Sequence, residues 1–216
     1  MNIAVLGSGE VGRTIGSKLV QLGHEVMMGS WEEANPEAVA WAKREERNAL
    51  FGTFANAAAF GDIVFNCTRG SVSLDALYAA DAKNLRGKIL IDTSNPLDYS
   101  DEKHWKLIVS NTDSLGEQIQ RAFPDTFVVK TLNTVHNTVM VDPDKLVERT
   151  DIFVSGNSAE AKKKVTMILQ SWFHWKHVID LGDISTSRAV EMYTLLWRSL
   201  RLATGAHRFN IKIVSA

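Results

Sequence analysis

Short apolar runs alternate along the chain with segments in which apolar residues recur at helical spacing. Residues 3–6 form an apolar run that Gly7 closes, a pattern typical of a buried strand in a parallel sheet. From Val11 to Leu22 apolar residues recur every three or four positions, and Gly23 supplies a stop signal. The chain therefore opens with a predicted strand, a glycine turn and a helix.

The alternation continues through the first 134 residues. Further strands are predicted at residues 25–28, 62–67, 88–93 and 127–132. The same stretch also predicts a charged helix to about residue 48, a short extended piece near Phe54 and a helix at residues 74–85. Strands that alternate with helices in this way predict an α/β fold. We expect a Rossmann-type doubly wound parallel sheet, with residues 1–134 as an NAD(P)-binding domain.

The remainder of the chain predicts a smaller unit. Strands are predicted at residues 152–155 and 176–181, with a helix at residues 159–172 between them. The basic run at residues 162–164 is interpreted as a solvated helix face. Apolar residues cover most of the circumference of a helix at residues 186–207, more than one packing face requires. We expect residues 135–216 to form a small C-terminal α/β and helical lobe packed on the first domain, with helix 186–207 pairing two subunits in a homodimer.

Composition narrows the class of protein and of partner. The 216 residues carry a net charge of -1, without the basic excess that nucleic-acid binding uses to neutralise phosphates, so we expect no nucleic-acid partner. Cys67 is the single cysteine and no Cys/His cluster has zinc-ligand spacing, so we expect no metal site and a reducing, cytoplasmic compartment. Apolar runs fall short of the roughly 18 residues of a membrane span, and no signal peptide is predicted.

Residues 7–12, Gly-Ser-Gly-Glu-Val-Gly, match the G-x-G-x-x-G pattern between the first predicted strand and helix. Gly7 permits the tight turn, Gly9 lets a pyrophosphate approach the backbone, and Gly12 lets helix and strand pack closely. Free N–H groups at the helix N-terminus favour the phosphates. The pattern predicts a dinucleotide site, and the alternative is a glycine turn that only permits close packing.

The end of the second predicted strand indicates which dinucleotide binds. An Asp or Glu there would accept hydrogen bonds from the ribose of NAD, but residues 29–31 are Gly-Ser-Trp. Ser30 leaves room for a 2′-phosphate, and Arg13 can supply positive charge. We therefore favour NADP over NAD, although Glu32 and Glu33 are close enough in sequence to serve NAD.

Several motifs in this order resemble one known family. They are the segments GSGEVG at 7–12, HEVMMGS at 24–30, DTSNPL at 92–97, VKTLNT at 129–134, IFVSG at 152–156 and VIDLGD at 178–183. Together they resemble the F420-dependent NADP oxidoreductases, small Rossmann proteins related to the cytosolic domain of the Steap metalloreductases. The resemblance spans nearly the whole chain.

The resemblance implies roles for particular residues. Ser8 and Glu10 would line the pyrophosphate turn, Ser30 would contact the 2′-phosphate, and Thr68 would end a strand beside the cofactor. Trp31 stands where the family often has Arg. Its indole would stack on adenine, and Arg13 or Lys43 would supply the positive charge that Trp31 lacks. The full predicted cofactor-binding set is Gly7, Ser8, Gly9, Glu10, Val11, Gly12, Arg13, Ser30, Trp31, Cys67, Thr68, Asn95, Pro96 and Leu97.

Two polar segments follow predicted strands, at the edge where open α/β sheets hold ligands. By the resemblance, residues 95–97 would border the nicotinamide, and the alternative is a turn made by Asn-Pro. Asn133, Thr134 and His136 are predicted to contact the second substrate, although a surface loop is as good an interpretation of His136. His136 is the one candidate for a catalytic role, and no other residue is assigned one.

Cys67 and the segment around His104 receive structural interpretations. Cys67 is expected to pack as a small apolar side chain and not to react. His104 and Trp105 lie in a charged segment for which a solvated loop is favoured over a lid.

The combined prediction is an NADP(H)-binding oxidoreductase that transfers hydride between NADPH and a second small-molecule redox carrier. That carrier is expected to be coenzyme F420 or a flavin, FMN or FAD. Two alternatives stay open: a non-catalytic NADP(H)-sensing protein, and a flavin-mediated metal-chelate reductase.

Overall fold

The computed structural model describes residues 1–101 and 104–215. In chain order its strands and α-helices are β1 (Asn2–Leu6), α1 (Glu10–Gln21), β2 (Glu25–Ser30), α2 (Pro36–Glu45), β3 (Ala49–Thr53), α3 (Phe54–Phe60), β4 (Ile63–Asn66), α4 (Ser73–Ala80), α5 (Ala82–Leu85), β5 (Ile89–Asp92), β6 (Leu97–Asp98), β7 (Lys106–Leu107), α6 (Leu115–Ala122), β8 (Phe127–Thr131), α7 (Asn137–Met140), β9 (Asp151–Ser155), α8 (Ala159–Ser171), β10 (His177–Gly182) and α9 (Ser187–Thr204).

Eight of the strands form one sheet in the order β10-β9-β8-β5-β4-β1-β2-β3. The six strands from β8 to β3 are parallel, which confirms the predicted Rossmann-type α/β fold. The pairing of β8 with β9 is antiparallel. A parallel return needs a crossover of a dozen or more residues, usually through a helix, and the only α-helix between β8 and β9 is the four-residue α7.

Apolar side chains cover both faces of the sheet, as a doubly wound fold requires. One buried cluster packs α1, α2 and α8 on the sheet and includes Ile15, Leu19, Trp41, Val165 and Leu169. A second cluster packs α3, α4 and α6 on the sheet and includes Ala57, Leu77, Leu90, Ile119 and Phe123. Because helices fill both faces, the ends of the strands are left to bind ligands.

Local chemistry breaks one predicted helix of the first half and starts another that was not predicted. The predicted helix at 74–85 is broken at Asp81, which has a φ of +69° and accepts a hydrogen bond from the Lys83 N–H at 3.1 Å. The short extended piece predicted near Phe54 is β3, which ends at Thr53. The helix that begins at Phe54 was not predicted, and the side chains of Thr53 and Asn56 start it with a reciprocal capping box.

The prediction of a solvated basic face at residues 162–164 is wrong for Lys162. Its side chain is buried, and its Nζ lies 2.7 Å from Asp180 Oδ1 and donates to the Gly182 carbonyl at 2.7 Å. The sequence pattern placed this lysine on the helix but did not reveal that β10 lies beside it.

The predicted division at residue 134 falls in the connection between β8 and α7. Strands on both sides of this point belong to the same sheet, and the division into two domains stays a prediction. Within the described residues, none of the helices is long and apolar enough to cross a membrane.

Candidate functional site

The loop between β1 and α1 has the backbone that the three glycines predict. Gly7 has a φ of +113°, and a Cβ on Gly12 would lie 1.9 Å from the Gly7 carbonyl oxygen. A Cβ on Gly9 would meet nothing within 4 Å, so open space adjoins the backbone at the second glycine. No side chain caps the N-terminus of α1. The loop therefore fits a pyrophosphate, which the free N–H groups of a helix N-terminus would bind.

A cavity of about 790 Å³ lies at the carboxyl ends of the central strands, within the size range of ligand sites. It brings together eleven of the residues predicted from the sequence: Gly9, Glu10, Val11, Arg13, Cys67, Thr68, Asn95, Leu97, Asn133, Thr134 and His136. Six other predicted residues do not line this cavity: Gly7, Ser8, Gly12, Ser30, Trp31 and Pro96. The predicted cofactor half and the predicted substrate half thus share one continuous space.

Ser30 is the last residue of β2 and Trp31 follows it, beside the glycine loop. Ser30 is buried, and its Oγ donates to the Glu32 carbonyl at 2.6 Å. Trp31 is 56% exposed and meets the Phe54 ring edge-on, with centroids 5.0 Å apart. The indole therefore has a free surface for a planar group.

Arg13 connects the glycine loop to the start of α2. Its Nη1 donates to the Ser8 carbonyl at 2.6 Å and to Glu37 Oε2 at 2.8 Å. Because the guanidinium also lines the cavity, it places a positive charge beside the glycine loop.

The ends of β4 and β5 are joined by buried side-chain hydrogen bonds. Asn66 Nδ2 donates to Asp92 Oδ1 at 2.8 Å, and Thr68 Oγ1 donates to Asn66 Oδ1 at 2.7 Å. Between them, desolvation raises the pKa of the Cys67 thiol to about 12. The thiol is therefore protonated at neutral pH, in agreement with the prediction that it packs and does not react.

Asn95 and Asn133 hold the two polar segments against each other. Asn95 Nδ2 donates to the Asn133 carbonyl at 2.8 Å, and Asn133 Nδ2 donates to Asn95 Oδ1 at 2.9 Å. Asn133 Nδ2 also donates to the Val190 carbonyl of α9 at 3.0 Å. This pair fixes the distance between the predicted nicotinamide loop and the predicted substrate loop.

A buried ion-pair cluster beneath these loops was not predicted. Lys130 Nζ lies 2.6 Å from Asp92 Oδ2 and 2.8 Å from Glu191 Oε1, and it donates to the Ser94 carbonyl at 2.8 Å. Burial alone would lower the pKa of Lys130, but the two carboxylates outweigh that effect and raise it. The sequence signal was a lysine inside the otherwise apolar run of β8.

His136 lies on the cavity and is not only a surface-loop residue. Its Nδ1 is 3.0 Å from Thr138 Oγ1, and its ring centroid is 5.2 Å from that of His207. Desolvation first, and repulsion from the His207 ring in its protonated form second, lower the pKa of His136. The imidazole is therefore neutral at pH 7, and its role as a substrate contact stays a prediction.

Other residues of the cavity were not predicted as site residues. They are chiefly aromatic or basic and include Arg69, Tyr99, Trp105, Trp197, Arg201 and His207. The favoured interpretation of a solvated loop fails for Trp105, which lines the cavity and lies 4.3 Å below the Arg198 guanidinium. His104 is exposed, with its Nδ1 2.9 Å from Asp101 Oδ2.

Comparison with known proteins identifies the family of the chain. Residues 2–96 match the model of the family described as NADP oxidoreductase, coenzyme F420-dependent. A solved structure from Arthrobacter sp. FB24, described as an F420-dependent NADP reductase, is 46% identical, and the match covers 99% of each chain with a TM-score of 0.93.

Curated relatives extend the match. The F420-dependent NADP reductase of Methanocaldococcus jannaschii is 27% identical over 100% of this chain and 99% of its own length. The metalloreductase STEAP3 of Rattus norvegicus is 26% identical over 89% of this chain, which spans only 36% of that relative. The chain belongs to the coenzyme F420-dependent NADP oxidoreductase family and is an NADP-dependent oxidoreductase with NADP(H) as its cofactor.

Proposed function

We propose that the protein transfers hydride between NADPH and a second redox carrier, coenzyme F420 or a flavin such as FMN or FAD. The observation that carries this proposal is one continuous cavity that runs from Gly9 to Asn95 and His136. A cofactor bound at the glycine loop and a ring bound at the other end would share this space. Hydride transfer requires such contact, because the cofactors supply the chemistry and the protein supplies position.

The chain's own groups would hold NADP(H) at three points. Gly9 and the N-terminus of α1 would bind the pyrophosphate, while Ser30 and Arg13 would meet the 2′-phosphate. Asn95 and its partner Asn133 would border the nicotinamide. When bound, the nicotinamide cofactor supplies the hydride.

The opposite end of the cavity suits the ring of the second carrier. Tyr99 and Trp105 pack edge to face with centroids 5.7 Å apart, and Trp197 stacks on Phe209 at 5.5 Å. These rings would exclude water from the site and offer flat surfaces to a planar acceptor. His136, neutral at pH 7, would contact that ring as a hydrogen-bonding group.

The test is a parallel assay of NADPH consumption at neutral pH with coenzyme F420, FMN, FAD and a ferric chelate. We expect turnover with F420 or with a flavin. The names of the Steap relatives motivate the ferric chelate, and chelate reduction that requires added flavin would support the flavin-mediated alternative. If NADPH raises the Tm but none of these acceptors is reduced, the hydride-transfer proposal is wrong and a binding role is favoured.

We also propose a cytoplasmic homodimer that pairs through α9. The exposed side chains of Met192, Leu196 and Leu202 form an apolar surface on that helix, and exposed apolar patches often mark interfaces. Residues 1–134 would form the NAD(P)-binding domain and residues 135–216 the smaller lobe that carries the dimer helix. The reducing compartment is supported by the single cysteine.

A further inference from the structure

One side of α9 forms the wall of the cavity away from the glycine loop. Thr194, Trp197 and Arg201 all line the cavity, and their spacing of three and four residues places them on one side of the helix. Met192 and Leu196 are exposed on the opposite side. The helix therefore presents one polar and aromatic face to the cavity and a separate apolar face to its surroundings.

Three residues of this wall, Trp197, Arg201 and His207, carry donors that the described residues leave unused, whereas the Thr194 hydroxyl donates to the Glu191 carbonyl. Trp197 Nε1 is buried and has no hydrogen-bond partner among the described residues. Arg201 lies 5.9 Å from the Trp197 ring and makes no ion pair with a described carboxylate. His207, from the segment after α9, completes the wall opposite His136. Trp197 Nε1 is thus a buried donor without a partner, which is rare in folded proteins, whereas the side chains of Arg201 and His207 are exposed. One buried N–H and two exposed donors on the same wall suit an oxygen-rich ligand group.

The charges around the cavity favour an anion at this end. Two carboxylates line it, Glu10 and Glu37, and Glu37 pairs with Arg13 at 2.8 Å. Glu10 raises the pKa of His136, whereas the charges of Arg208 and Arg201 lower it. The charges of Arg13 and Glu37 cancel in their ion pair. Among the remaining described residues of the lining, Arg69 and Arg201 carry positive charges and Glu10 carries a negative one, so positive charge is in excess.

We propose that Trp197, Arg201 and His207 bind an anionic group, a phosphate or a carboxylate, on the side chain of the redox acceptor. This inference rests on the proposed hydride transfer. It adds a second anion subsite, on α9 and the segment after it, to the phosphate site at the glycine loop. A guanidinium offers paired N–H donors that match phosphate and carboxylate geometry, so the wall would select acceptors by their side-chain charge.

The experiment compares acceptors that share a ring and differ in this group. FMN and riboflavin differ by one phosphate, and coenzyme F420 is paired with its phosphate-free deazaflavin riboside. For wild type we expect kcat/KM to favour the charged member of a pair by about tenfold. In Arg201→Gln this preference should fall below threefold, while kcat/KM for the uncharged member and the KM for NADPH change less than twofold.

Arg208→Gln is the matched control, because Arg208 is exposed, carries the same charge and does not line the cavity. It should retain most of the preference, which separates direct contact from the general field around the mouth. Where the protein reduces neither acceptor of a pair, the Kd of each acceptor for the NADP⁺-loaded protein is compared in place of kcat/KM. Equal values within both pairs, or an equal loss in the two Arg variants, would overturn the inference. Absence of turnover with a retained binding preference would instead count against hydride transfer.

Discussion

Lys130 on β8 and Glu191 on α9 form a fully buried ion pair, with Nζ 2.8 Å from Oε1. Glu191 also accepts hydrogen bonds from the backbone N–H groups of Leu115 at 2.9 Å and Gly116 at 3.0 Å, at the start of α6. One carboxylate thus joins the helix α9, the helix α6 and the sheet. Since α9 carries one wall of the cavity, this pair links the stability of the fold to the shape of the site.

Lys130→Met should be strongly destabilising. It leaves the carboxylates of Asp92 and Glu191 buried without their shared cation, and breaking a buried pair from one side costs about 3–5 kcal/mol. Urea denaturation should show this loss as a lower midpoint with an unchanged slope.

The triple variant Lys130→Met, Asp92→Asn, Glu191→Gln is its control, because it removes both carboxylate charges as well as the cation. It should regain much of the lost stability. A loss in Lys130→Met of less than about 1 kcal/mol would contradict the view that all three groups are charged in the folded protein.

Gly9→Ala and Gly12→Ala should separate cofactor binding from folding. A Cβ at position 12 would lie 1.9 Å from a carbonyl oxygen, whereas one at position 9 meets nothing within 4 Å. We expect Gly12→Ala to lower the Tm markedly. Gly9→Ala should keep the wild-type Tm without ligand and weaken NADPH binding at least tenfold, because the methyl group would occupy the space of the pyrophosphate. Unchanged NADPH affinity in Gly9→Ala would place the dinucleotide elsewhere.

Ser30→Asp should shift the cofactor preference toward NADH. A carboxylate at the end of β2 accepts hydrogen bonds from the ribose hydroxyls of NAD and repels a 2′-phosphate. We expect the ratio of kcat/KM for NADPH to that for NADH to fall at least tenfold.

Arg13→Gln should weaken NADPH binding about tenfold or more and leave NADH within about twofold, since a charged contact to phosphate is lost. Lys18→Gln is the matched control, because Lys18 lies on the same helix and does not line the cavity around Asn95. Equal losses for NADPH and NADH in Arg13→Gln would show that Arg13 does not read the 2′-phosphate.

Cys67 should react very slowly with iodoacetamide in the folded protein. The pKa of its thiol is raised to about 12, so its thiolate fraction at pH 8 is about 10³-fold below that of an ordinary cysteine. The rate should rise about tenfold per pH unit from pH 7 to 10, whereas in the urea-unfolded chain it should reach half of its maximum near pH 8.5 and level off about one pH unit higher. A rate that levels off below pH 10 in the folded protein would contradict the raised pKa.

Features of the fold that depend on interactions between residues close in sequence could be predicted from the sequence. The glycine loop and the strands of the parallel sheet were predictable, because turn chemistry and apolar periodicity are local. The break at Asp81 and the helix after Thr53 depend on single side-chain caps, which compete with the periodic pattern.

The wall at α9 could not be predicted, because its contacts join distant parts of the chain. Trp105 and Trp197 are recognisable as large aromatic residues, but only the tertiary structure places them on one cavity with Asn95. Lys130 was visible as a charge in an apolar strand, whereas its partner Glu191 lies on a helix whose docking the sequence does not reveal.

The exposed face of α9 gives a test of the proposed homodimer. Leu196 is 54% exposed, and in a dimer that pairs through this face its side chain would be buried against the partner subunit. Leu196→Glu would place a charge in that apolar contact, so we expect gel filtration to show a shift from dimer to monomer. Met167→Glu is the control, since Met167 is 51% exposed on α8 and should leave the dimer intact. A wild-type monomer, or a Leu196→Glu dimer of unchanged stability to dilution, would rule out pairing through α9. Because Arg201 faces the cavity on the other side of the helix, the monomeric variant should retain its selectivity for charged acceptors.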